Sequence, residues 1–228
     1  MNLLSKTRTG NQATAAVPQR GMESATTGAH SRVSNGLKDF LWLLSDVERG
    51  HLLDLGPVSQ STVSFFTAKN FKVYTEDVLR SWKSHLNAEE ERLRRAPAGT
   101  AAALDPASLA QSFLDANLSY PQETFHAILA WDVFDYLEGE LLPRVVSKLY
   151  SMLRPGGVLL AVFHSKMPEQ FHRYCVVDGQ TLDLAPAAAP VLAQRAFQNR
   201  ELLNLFSAFR SSKTFVGRDQ LREGLFTK

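Results

Sequence analysis

The chain has 228 residues, 44% of them hydrophobic, which suits one domain of ordinary size plus a tail. A formal charge of +2 is too small to indicate nucleic acid or an anionic membrane surface as a partner. The single cysteine, Cys175, excludes an internal disulfide framework and favours a reducing compartment, so a cytoplasmic location is expected.

Residues 1 to about 33 are rich in Ser, Thr, Ala, Gly and Gln, carry one acid, Glu23, and show no apolar period. This composition predicts a disordered tail over 1–33 ahead of a domain over 34–228. Its basic, acid-poor character also fits an organellar transit peptide, although no amphipathic helix supports that. No apolar run reaches the roughly 18 residues of a transmembrane helix, and no membrane partner is expected.

Ser34 or Asn35 can cap a helix through Leu37, Phe40, Leu41 and Leu44, which Gly50 stops. Leu52, Leu53 and Leu55 form a short buried strand that ends in Asp54-Leu55-Gly56. Ser59 to Lys69 is the next helix, with Val63, Phe66 and Phe65 turned inward, and Phe71 to Thr75 is a second strand ending at Glu76-Asp77. The spacing from Asp54 to Asp77 is that of a βαβ unit whose strand ends lie side by side.

Residues 79 to 112 are less regular. Leu86 to Arg95 reads as a charged surface helix, with Glu89 to Glu91 facing Arg92, Arg94 and Arg95 rather than a phosphate track. Pro97 to Ala103 reads as a loop and Pro106 to Phe113 as a short helix or crossover, with a third strand expected nearby. Phe125 to Trp131 is a buried strand, and Leu137 to Leu153 is an amphipathic helix. After the turn Arg154-Pro155-Gly156-Gly157 comes another buried strand, Val158 to Phe163. Strand, helix, turn and strand in this order predict a parallel sheet with helices on both faces. Arg173 to Leu184 reads as a hairpin about Asp178-Gly179. Residues 191–209 read as a helix burying Leu202, Leu203, Leu205 and Phe206, before two short strands at Thr214 to Val216 and Gly224 to Thr227.

These segments together resemble the class I S-adenosylmethionine-dependent methyltransferases over about residues 36–165. LLDLGPVSQ resembles the family's first motif, and Asp77 falls where the family has the acid that binds ribose hydroxyls. Phe113-Leu114-Asp115-Ala116 resembles its acidic motif facing the adenine, and Phe125 to Asp132 its fourth strand beside the transferred methyl. The resemblance implies a Rossmann-like α/β fold with a mostly parallel seven-stranded sheet, S-adenosylmethionine as cofactor, and methyl transfer to an unidentified small-molecule or macromolecular acceptor. Its cofactor-binding residues are then Asp54, Gly56, Ser59, Glu76, Asp77, Asp115, Ala116, Trp131 and Asp132.

The physical logic agrees. Ligands of open α/β sheets lie beyond the carboxyl ends of the strands, where strand order reverses, and ribose and adenine donors need carboxylates there. Each acid has a plainer role open to it: Asp54 can satisfy amides of its own turn, Glu76 or Asp77 can cap the next helix, and Asp115 can cap a turn.

The turn after Asp54 departs from the family. Only Gly56 is present of the usual glycines; Pro57 removes an amide donor and Val58 puts a β-branched side chain where a ligand would approach. Ser59, Gln60, Ser61 and Thr62 offer polar groups instead. The same turn lacks the pyrophosphate cradle of a dinucleotide-binding enzyme. It also leaves open a non-catalytic binding or scaffold protein on the same fold. His164, directly after the fifth strand of the family pattern, is the candidate general base, with an exposed loop histidine as its plainer role; His126 reads as structural. Trp131, Phe134 and Tyr136 offer an aromatic wall or ordinary packing. Histidines and Cys175 have no metal-ligand spacing.

Overall fold

The computed structural model describes residues 30–97, 102–217 and 219–228. Its centre is a six-stranded sheet in the order β3-β2-β4-β5-β9-β8. β2 (Gly50–Asp54), β3 (Phe71–Thr75), β4 (Phe125–Ala130) and β5 (Leu153–His164) run parallel. β9 (Leu221–Thr227) is antiparallel to β5, and β8 (Ser211–Val216) is antiparallel to β9. The chain builds outward from β2 to β3, then crosses back to place β4 on the other flank of β2. The order therefore reverses between β2 and β4, and the expected Rossmann-like architecture stands.

Side chains alternate between the two faces as the strand period requires. Leu53, Ile128, Ala130, Leu159, Ala161 and Phe163 enter one core. There they meet α3 (Val78–Arg95), α4 (Pro106–Asn117), α6 (Leu141–Met152) and Leu202 of α7 (Asn199–Leu205). Leu52, Ala127, Leu129, Val158, Leu160 and Val162 enter the other core, with α1 (Asn35–Leu43) and α2 (Gln60–Thr67). A second sheet closes that face. It has three strands in the order β1-β7-β6, formed by β1 (His30–Val33), β6 (Phe171–Val176) and β7 (Thr181–Ala187).

The local signals explain most boundaries. Ser34 Oγ accepts from Leu37 N at 2.9 Å and starts α1; Ser59 does the same for α2 through Thr62 N. Asp105 caps α4, with Pro106 at the first helical position. Gly156 takes a φ of +77°, a region that suits glycine, within the first part of β5, so the expected Arg154-Pro155-Gly156-Gly157 turn is an irregular start to that strand.

Several expectations change. His30–Val33, placed in the tail, form β1 by pairing with β7; the rest of the tail, 1–29, lies outside the described residues. The seven-stranded sheet has six strands among the described residues. α3 and α4 occupy most of the span where a third strand was expected, because capping by Asp77 and Asp105 and the Glu–Arg pairs of α3 favour helix there. The expected 137–153 helix is regular only over α6, Leu141–Met152, and a separate short helix, α5 (Val133–Tyr136), precedes it. The expected 191–209 helix is regular only over Asn199–Leu205, and Leu203 is exposed on it.

Candidate functional site

The reversal of strand order sets Asp54, at the end of β2, next to Trp131 and Asp132, which follow β4. Asp54 Oδ1 accepts from the Trp131 indole Nε1 at 2.8 Å and from Gly56 N at 3.2 Å. Its Oδ2 is buried with no hydrogen-bond partner. Burial is the largest influence on this carboxyl and pushes it up to about 7, against the indole and Gly56 donors that lower it. Gly56 has no room for a side chain, since a Cβ there would lie 2.7 Å from Trp131 Cδ1. The glycine is thus fixed by the indole beside it.

Asp132 is also buried and is pushed up to about 7 by desolvation, with the Tyr174 hydroxyl at 3.5 Å from its Oδ2. Tyr174 comes from β6. Its ring stacks on Trp131 with centroids 5.4 Å apart and planes 1° from parallel. The hairpin of β6 and β7 therefore lies across the strand ends. Leu55, Gly56, Pro57, Asp77, Trp131, Asp132, Phe171, His172 and Tyr174 enclose a cavity of only about 10 Å³. That is at the lower limit for one water molecule.

Sequence reasoning brought Asp54, Gly56, Asp77, Trp131 and Asp132 to this place, and they line or border the cavity. Asp77 does double service: its Oδ1 caps α3 by accepting from Arg80 N at 3.2 Å, and it pairs with the Arg80 guanidinium. Ser59 is spent as the cap of α2 and does not line the cavity. Glu76 does not line it and accepts from the Tyr120 hydroxyl. Asp115 and Ala116 are corrections. Both sit exposed on α4, where Asp115 accepts from Gln111 one turn earlier, because the strand that would have carried them to the site is replaced by a helix. Val58, expected to obstruct the turn, is 64% exposed and points clear of the cavity, whereas Pro57 lines it.

His164 is not a loop residue. It ends β5, is 8% exposed, and its Nδ1 and backbone N both lie 2.8 Å from Asp135 Oδ2. Asp135 belongs to α5 and is fully buried; burial pushes its carboxyl up, opposed by the bonds from His164. His164 lines a second cavity, of about 350 Å³, with His30, Lys166, Met167 and His172 among its walls. His172 lines both cavities. Sequence reasoning missed Asp135, Phe171 and Tyr174 in these roles. Asp135 stands in the WDVFDY segment, but its partner is 29 residues away on another strand. His126 is structural as expected, accepting from His51 N at 3.1 Å and meeting Arg154 at 3.0 Å. Among the described residues no cluster of His, Cys, Asp and Glu is arranged for a metal ion, and no helix is long and apolar enough to cross a membrane.

No protein-family model matches the sequence, and no curated protein matches it by sequence. Solved structures similar in chain course include 1,6-didemethyltoxoflavin-N1-methyltransferase of Burkholderia thailandensis, crystallised with 1,6-didemethyltoxoflavin and S-adenosylhomocysteine. It is 15% identical over 86% of this chain and 79% of that chain, with a TM-score of 0.46. A SAM dependent methyltransferase from Archaeoglobus fulgidus is 11% identical over 84% of this chain and 91% of that one, with a TM-score of 0.48. N-methyltransferase NodS from Bradyrhizobium japonicum, in complex with S-adenosylhomocysteine, is 17% identical over 84% and 85%, with a TM-score of 0.43.

Proposed function

We propose that the protein is an S-adenosylmethionine-dependent methyltransferase whose cofactor binds over the carboxyl ends of β2, β3 and β4. The observation that carries this reading is Asp54. It is a buried acid at the switch point of the sheet, with one oxygen unpartnered and a second acid, Asp77, at the neighbouring strand end. Buried polar atoms ordinarily have partners, so an orphan at this position points to a donor supplied from outside.

The donor set fits such a cofactor. Asp77 suits ribose hydroxyls, and Asp54 and Asp132 suit amino groups and the positive charge of a sulfonium. The ring faces of Trp131 and Tyr174 suit the same charge. The space does not fit while the hairpin stays in place, since about 10 Å³ is open. Binding therefore requires Phe171 and Tyr174 to move off the Gly56 turn. When bound, the cofactor supplies an electrophilic methyl group. The chain's own part is to hold it, exclude water beneath the hairpin, and set an acceptor in line with it.

Titration calorimetry of the intact protein with S-adenosylhomocysteine tests the reading. Binding is expected, and Asp77→Ala should weaken it by about 1–3 kcal/mol, the scale of a lost charged hydrogen-bond partner. Absence of binding heat, together with an unchanged Tm at saturating ligand, would refute it.

One observation favours a second reading, a non-catalytic binding or scaffold protein. The Trp131–Tyr174 stack fills the site as a core would. The double variant Phe171→Ala and Tyr174→Ala separates the two. If it folds and still binds no S-adenosylhomocysteine, the second reading holds.

A further inference from the structure

The 350 Å³ cavity shares only His172 with the small cavity at the switch point, and its lining is chemically distinct. His164 enters it from the end of β5, with Nδ1 fixed at 2.8 Å from the buried Asp135 carboxylate. Asp135 Oδ2 also accepts from the His164 backbone N at 2.8 Å, so the side chain is clamped at two points. An Nδ1–H bonded to a carboxylate leaves Nε2 as the basic nitrogen. No protein group among the described residues bonds to that Nε2. This is the arrangement of an oriented base: an imidazole, a buried acid that fixes its orientation, and open space on the other side.

The walls say what the space takes. Met167, Pro168, Leu184 and Leu221 give apolar surface, and the rings of His30 and His172, 5.7 Å apart and 89° from parallel, meet as a corner in which a flat ring can stack on one imidazole and meet the edge of the other. Lys166 adds one cation. Glu169 and Asp219 also line the cavity, but Asp219 is held at 2.7 Å by Arg32. The volume lies at the small end of ligand clefts, which suits a compact molecule and not a polymer.

We infer that this cavity is an acceptor site for a small planar molecule bearing an acidic hydroxyl, a phenol or enol, and that His164 is the base that takes its proton. The inference rests on the methyltransferase reading only for what happens to the oxygen afterwards. The proton step stands by itself: the O–H bond breaks, its electron pair stays on oxygen, and the proton forms an N–H bond at Nε2. Asp135 is then a positioning residue that stabilises the imidazolium, and Lys166 faces the oxyanion. His172, common to the two linings, is the point at which the acceptor cavity and the switch-point cavity meet.

The probe is para-nitrophenol, whose anion is yellow, added to the intact protein without cofactor. Below the probe's own pKa, the wild type should raise the yellow fraction in proportion to occupancy. His164→Gln should still bind the probe, by fluorescence or ligand-observed NMR, but leave it colourless. Asp135→Asn should cut the ionised fraction several-fold; Asp135→Glu should restore part of it, which a merely structural role would not. Equal colour with wild type and His164→Gln overturns the inference, as does the absence of binding to the wild type. Because S-adenosylhomocysteine is titrated separately, failure of that titration with retained probe ionisation sinks the methyltransferase reading and leaves this one. The reverse outcome does the opposite.

Discussion

Asp54→Asn keeps the shape of a side chain at the centre of the site and removes its charge. Asp54 rises from 3.8 to about 7 on folding, chiefly through burial. Its folded value lies above its unfolded value, so the folded state holds the proton more tightly. Stability is then greatest below about pH 4 and falls as the pH rises towards 7, where the unfolded chain ionises freely and the folded one resists. A displacement of that size corresponds to roughly 4 kcal/mol of lost stability between about pH 4 and pH 8. Asn at this position accepts from the Trp131 indole and Gly56 N as Asp54 does, but has no charge to form. Urea unfolding at both pH values should show Asp54→Asn gaining about 2–4 kcal/mol on the wild type as the pH is raised. Asp132, also pushed up to about 7 by burial, should behave alike, and the double variant should have the flattest profile. Parallel pH profiles for wild type and Asp54→Asn would refute the reasoning, since they would mean the carboxyl ionises as easily folded as unfolded.

Gly56→Ala should destabilise by about 1–3 kcal/mol, the cost of forcing a methyl into a packed contact, and should shift the Trp131 indole resonance in NMR. Removing residues 1–33 should lower the Tm far more than removing 1–29. The longer deletion takes away β1 and Arg32, whose guanidinium lies 3.0 Å from the buried Glu223 carboxylate; an uncompensated buried charge costs about 3–5 kcal/mol. Asp115→Ala should leave S-adenosylhomocysteine affinity unchanged and move stability by no more than about 0.5 kcal/mol, the range of exposed surface changes. Titration calorimetry of Asp115→Ala with S-adenosylhomocysteine and its urea unfolding check the two parts of that expectation.

What could be read from the sequence was what local chemistry fixes. β2, β3, β4 and the core of β5 announced themselves as apolar runs because both faces of a parallel sheet are buried. Asp54, Asp77 and Asp132 were legible because a strand end is a local event. Asp115 was not, since its reading assumed a strand before it; capping and Glu–Arg pairing made that stretch helical. Three features depended on distant pairing and left no local trace. β1 is a strand only because β7 is beside it, a partner about 150 residues away. Asp135 meets His164 through the packing of α5 on β5. Tyr174 closes the site because the hairpin, itself legible, folds over the strand ends, and no turn signal says where a hairpin will lie.

In the proposed function, the hairpin of β6 and β7 must yield the switch point to a cofactor. A crystal structure of the intact protein grown with S-adenosylhomocysteine tests it most directly. The ligand should lie over the Gly56 turn with its ribose hydroxyls on Asp77, a donor on Asp54 Oδ2, and Tyr174 lifted from Trp131. Crystals grown at saturating ligand that keep the Trp131–Tyr174 stack and show no ligand over Gly56 would contradict it.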